Sequence, residues 1–140
     1  MIMWDEVHAE RMCSDGVLDV RDVRARVRRT LAGALGGNVH GFDLDDVDLM
    51  VCEITTNAVR HGASGLPGGG VWVTVLVSGD RLRVEIQDDG GSDGRPLIPA
   101  QSAGWDESGR GLMVVNGLAD CWGTLPGADG RHTVWFEVVR

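Results

Sequence analysis

Apolar positions along the chain change their period twice, and the changes mark out its elements. Between about Asp19 and Leu35, Val20, Val23, Val27, Leu31 and Leu35 recur at intervals of three and four. That spacing builds one face of an amphipathic helix, with arginines on the other faces. Gly36 and Gly37 end it. A second helix is predicted from about Leu44 to His61, on the stripe Leu44, Val47, Val51, Ile54 and Ala58. Asp43 is its N-cap, and Asp45, Asp46 and Asp48 put negative charge where the helix dipole favours it. Gly62 stops it.

After Gly68-Gly69-Gly70 the period falls to two. Val71–Val77 and Arg81–Gln87 read as a hairpin through Ser78-Gly79-Asp80. In the second strand Leu82, Val84 and Ile86 alternate with Arg83, Glu85 and Gln87, which predicts one buried and one wet face. From Asp88 to Gly109 the chain is rich in Gly, Ser, Asp and Pro, an irregular connection whose length marks either function or disorder. A third helix is expected from about Gly111 to Ala119. Two last strands, near Asp120–Leu125 and His132–Val139, flank the turn Pro126-Gly127-Ala128-Asp129-Gly130. The first fourteen residues show no clear period and are assigned to no element. Helices on one face of a mixed, mainly antiparallel sheet make an α+β two-layer sandwich.

The 140 residues fit a single domain, 1–140, with a core of its own. No apolar run approaches the length of a membrane span, and the start lacks the basic flank and apolar block of a secretory signal. A cytoplasmic protein without membrane contact is the expectation. Cys13, Cys52 and Cys121 are odd in number, far apart and without a CxxC pair, so they read as reduced, buried packing residues. The net charge of −8 argues against direct nucleic-acid binding. All 13 basic residues are Arg, and five of them, Arg21, Arg24, Arg26, Arg28 and Arg29, crowd the first helix. That face is either solvated or a partner contact.

Three segments carry candidate chemistry. Glu53 and Asn57, four apart on the second helix, emerge on one side beside its apolar stripe. A carboxylate and an amide oxygen so placed can hold a hard cation and orient a water or hydroxyl. Asp88-Asp89-Gly90-Gly91 follows a strand, so a carboxylate stands at the sheet's end beside backbone that a ligand can approach closely. It can accept from the amino group of a purine, although an ordinary Asp/Gly turn has the same composition. Glu107-Ser108-Gly109-Arg110-Gly111-Leu112 enters the third helix, whose free amides and dipole form a natural phosphate site. No Lys-Ser/Thr follows, so this is not a P-loop.

Taken in order, Glu-x-x-x-Asn on a helix, Asp-x-Gly after a strand and Gly-Arg-Gly-Leu entering a helix resemble the N, G1 and G2 boxes of the GHKL ATPase superfamily. Glu53 to His61 and Gly109 to Trp122 look most like the small stand-alone anti-sigma-factor serine kinases of actinobacterial type. The resemblance covers roughly Val17 to Val139 and implies the Bergerat, or histidine-kinase-like ATPase, fold. It implies ATP and Mg²⁺ as ligands, with Asn57 on the metal and Glu53 as general base. Asp88 would read the adenine amino group, Gly90 would give the base room, and Gly109, Arg110, Gly111 and Leu112 would cradle the phosphates. Residues 92–108 would form a lid.

One departure bears on that lid: Gly91 comes a place early and Ser92 stands where a second G1 glycine is expected. His61, just past the N box, reads as a helix-end packing residue. The resemblance implies an anti-sigma factor that phosphorylates a serine of an antagonist protein and binds a sigma factor, a homodimer being compatible with it. The alternative is a nucleotide-gated protein-binding module without significant transfer.

Overall fold

The computed structural model describes residues 2–36, 41–90 and 110–140, with Arg110 and Gly111 described as backbone only. Its elements are β1 (Asp5–Cys13), α1 (Val20–Leu35), α2 (Leu44–His61), β2 (Gly70–Ser78), β3 (Arg81–Gln87), α3 (Arg110–Leu118), β4 (Cys121–Pro126) and β5 (His132–Val139). Short 3-10 turns at Ala63–Gly65 and Ala128–Gly130 complete them. Helix α2 begins at its predicted cap, and α1 begins at a cap of the same kind. Asp19 accepts from the Arg21 amide, and Asp43 accepts from the amides of Asp45 and Asp46.

The sheet order is β1-β2-β3-β5-β4, and every neighbouring pair is antiparallel, so no parallel pair occurs among the described residues. Helices α1 and α2 pack together, and α3 packs on α2. One face of the sheet meets them. Val73 pairs with Ile86, Val75 with Val84, and Val84 with Phe136, so apolar side chains of three strands stack on that face. The inner positions of all three are buried, together with Leu31, Met50 and Val51 from the helices. Each such side chain contributes about 1.5–3 kcal/mol of transfer free energy, so this seam holds the two layers together.

Three expectations are corrected. The N-terminal segment is not structureless: Asp5–Cys13 is the edge strand β1, paired with β2. Its signal was faint because an edge strand needs little apolar surface, and Met12 alone is fully buried in it. The cysteines are not buried packing residues. Cys13 and Cys121 are exposed and Cys52 is half-buried, all with free thiols. The polar face of β3 is not simply wet. Arg83 pairs with Glu137 at 2.9 Å and lies 4.0 Å above the Trp135 ring, and Glu137 is 6% exposed. The arginine face of α1 is in part engaged at home. Arg26 binds Glu10 of β1 and Arg28 binds Asp45 and Asp48 of α2, whereas Arg24 and Arg29 form no ion pair among the described residues.

Candidate functional site

Helix α2 and the end of β3 bring the first two candidate segments together. Asn57 and Asp88, with Ile54, Ala58, Ile86 and Val134, line one recess of about 10 Å³. The apolar members are continuous with the core, so the recess is a fixed feature of the sandwich. Asn57 is 8% exposed, and its side chain makes no hydrogen bond with the described residues. Its oxygen is thus available to an incoming donor or cation.

Asp88 is 5% exposed. Its Oδ1 accepts the backbone N–H of Gly90 at 2.8 Å and that of His132 at 3.0 Å. The backbone N–H of Asp88 in turn donates to the His132 carbonyl at 2.9 Å. Oδ2 takes no hydrogen bond from a described residue, which leaves one carboxylate oxygen for a ligand. Burial pushes the Asp88 carboxyl above the ordinary range, opposed by those two backbone donors and by nearby His132. Gly90 holds φ at 91°, and a Cβ there would lie 3.1 Å from the Asp129 carbonyl. Glycine is required at this turn by both conformation and space.

Glu53 sits one turn before Asn57, half-buried, its side chain without a hydrogen bond or ion pair to the described residues. His61 is not the packing residue expected. It is exposed at the last position of α2, its pKa lowered by partial burial and by Arg60. Arg110 and Gly111 open α3, and Leu112 is 1% exposed, its side chain given to the core. Gly109, Gly91, Ser92 and the expected lid, 92–108, lie outside the described residues. Among those residues no group of three or more His, Cys, Asp or Glu side chains could hold a metal ion. A magnesium ion here fits only with ligand phosphates as its main donors and the unused Asn57 oxygen as the protein's share.

Three participants escaped the sequence reading. Buried Ser64, in the turn after α2, accepts the Asp89 N–H at 2.9 Å, and Ala63 N–H donates to the Gly90 carbonyl at 2.9 Å. His132 clamps Asp88, and its own Nδ1 is buried without a hydrogen bond. Ser64 left no signal inside a Gly-rich stretch. For His132 the only hint was its place at the start of an alternating strand.

The described residues include no helix long and apolar enough to cross a membrane. Among known proteins, the chain is 38% identical over 106 residues to the serine-protein kinase RsbW of Bacillus pumilus, covering 67% of this chain and 65% of that one. It is 25% identical over 83 residues to the anti-sigma F factor of Anoxybacillus flavithermus, covering 56% and 57% of the two chains. The chain thus spans less than two thirds of these relatives' lengths. In fold it resembles the RsbU and RsbW domains of Rv1364c from Mycobacterium tuberculosis, with a TM-score of 0.58 and 23% identity, over 93% of this chain and 32% of that one. The model of the histidine kinase-like ATPase domain matches residues 17–135. That match spans α1 to β5 and includes both halves of the recess, and the chain belongs to the histidine kinase-like ATPase domain family.

Proposed function

We propose that the chain binds Mg-ATP over the recess between α2 and β3, with Asn57 and Asp88 facing it, and transfers a phosphoryl group to a serine of an anti-sigma-factor antagonist. In the same reading it is an anti-sigma factor that binds a sigma factor in the cytoplasm. The observation that carries the proposal is the shared recess of Asn57 and Asp88, each with an oxygen that no described residue uses. Asp88 Oδ2 accepts from the adenine amino group, and Gly90 lets the base lie close to backbone. Asn57 supplies its amide oxygen to the metal, which when bound neutralises phosphate charge. Glu53 accepts the proton of the attacking serine hydroxyl. Gly109, Arg110, Gly111 and the backbone at Leu112 give the phosphates the positive end of α3.

Relatives named serine-protein kinase and anti-sigma F factor support this reading over other uses of an ATP site. A nucleotide-gated binder would share every contact except the proton transfer at Glu53. The test is γ-labelled ATP with the purified chain and a small antagonist-type protein bearing an acceptor serine. Label on that serine supports the kinase. ATP-dependent association without label supports the gated binder, and no ATP binding at all overturns both.

A further inference from the structure

We propose that Asp89 is a positioning residue that ties the base-reading turn to the edge strand β1 through Arg11, so that adenine affinity depends on where β1 sits. The proposal rests on the adenine role of Asp88. Three elements converge on Asp89. Its Oδ2 accepts the Arg11 guanidinium of β1 at 2.7 Å and the backbone N–H of Gly70, the first residue of β2, at 2.9 Å. Its own N–H donates to Ser64 Oγ, which is fully buried in the turn leaving α2. The adjacent Gly90 carbonyl accepts from Ala63 in the same turn.

The arrangement is tight enough to transmit a displacement. A Cβ on Gly70 would lie 2.3 Å from the Met12 carbonyl, so the end of β1 and the start of β2 are already pressed together where Asp89 binds. Asp88 has no freedom of its own, since its Oδ1 is held by Gly90 and His132. A shift at Asp89 therefore re-aims Oδ2 of its neighbour instead of being absorbed. The Asp89 side chain is 18% exposed and that of Arg11 39%, so the pair is less screened than a surface ion pair. Strand β1 is one of the two edges of the sheet, bonded to β2 alone among the described strands, so its free side is open to a partner. Arg11 precedes the residues matched by the family model, 17–135, whereas Asp89, Gly70 and Ser64 lie within them, so only the β1 end of this tie falls outside the match. Coupling of this kind is reciprocal: whatever fixes β1 tightens the base, and the base tightens β1.

The experiment measures the affinity of the intact chain for Mg-ATP and for magnesium tripolyphosphate, beside the thermal midpoint of each variant. The variants are Asp88→Asn, Asp89→Ala, Asp89→Asn, Arg11→Ala and the double variant of Asp89→Ala with Arg11→Ala. Asp89→Ala is expected to lower the ATP affinity on the order of tenfold with tripolyphosphate nearly unchanged. Arg11→Ala acts in the same direction, less strongly, and adds nothing in the Asp89→Ala background.

A purely structural role would lower the midpoint and leave the ratio of the two affinities at the wild-type value, which overturns the proposal. Additive effects of Arg11 and Asp89 overturn it as well. If Asp89→Ala fails to fold, Asp89→Asn and Arg11→Ala decide on the same ratio. Wild type that binds no ATP, or Asp88→Asn that leaves the ratio untouched, sinks the adenine reading itself. That outcome is distinct from an effective Asp88→Asn beside silent Asp89 and Arg11 variants.

Discussion

Asp88 and His132 hold each other by two backbone-anchored hydrogen bonds: the His132 N–H donates to Asp88 Oδ1 at 3.0 Å, and the Asp88 N–H to the His132 carbonyl at 2.9 Å. The residue after β3 is thereby fixed by the residue that starts β5. The carboxylate arrives preorganised, one oxygen spent on backbone and the other directed by that constraint. A ligand that uses Oδ2 therefore meets a group whose ordering cost was met on folding.

Replacing this carboxylate tests the adenine reading. Asp88→Asn can turn an amide donor toward the purine amino group, leaving an unpaired contact worth about 1–3 kcal/mol. ATP affinity should fall by that amount and tripolyphosphate affinity should not. Equal binding of ATP and GTP by wild type, measured by calorimetry, would exclude base reading by Asp88.

The same carboxyl gives the pH dependence its sign. Burial raises the Asp88 pKa, so protonation on acidification begins at a higher pH than for an exposed aspartate. A protonated Oδ2 is a poor acceptor for the amino group. ATP affinity should therefore drop as pH falls, starting above the normal aspartate range, and the drop should be absent in Asp88→Asn. Titration of the binding constant against pH for both proteins is the check.

Asn57→Ala should remove most of the affinity that magnesium adds to ATP, because it deletes the unused amide oxygen that the proposal gives to the metal. A hard cation left a ligand short is held less well. Binding of ATP is compared with and without magnesium. A metal-dependent gain as large in the variant as in wild type would move the metal contact elsewhere.

Glu53→Gln separates chemistry from binding. A carboxylate near the phosphates contributes nothing to holding them, so the ATP affinity should stay or rise slightly. Transfer to an antagonist serine should fall by roughly 10²–10⁴-fold, the range for a lost general base. Single-turnover label transfer reads it, and equal rates for the two proteins would remove Glu53 from the mechanism.

Phe136→Ala probes the seam between the layers. Its side chain is fully buried opposite Val84, and truncation should cost about 3–5 kcal/mol of stability. Urea unfolding measures it. A loss below about 1 kcal/mol would mean that the core lies elsewhere.

What the sequence by itself determined was everything set by local period and local capping. The stripes at Val23, Val27 and Leu31 and at Val47, Val51 and Ile54 are buried as their spacing requires, and Asp43 caps α2. The alternation in β3 put Leu82, Val84 and Ile86 inside. Motif order also pointed to the family, since Glu53 and Asn57 stand on α2, and Asp88 and Gly90 follow β3, as the resemblance expects.

Tertiary structure decided what depends on residues distant in the chain. That Asn57 and Asp88 share a recess follows from α2 packing across the end of β3, which no local window contains. Strand β1 exists because β2 offers it a hydrogen-bonding edge, not because its own residues alternate strongly. Asp89 looked like a turn residue, and only the approach of Ser64, Gly70 and Arg11 made it a junction. Hydrogen bonds of that kind carry no sequence period. They appear when burial forces each polar group to find a partner, and the partner is whichever group the packing of the core has brought within reach.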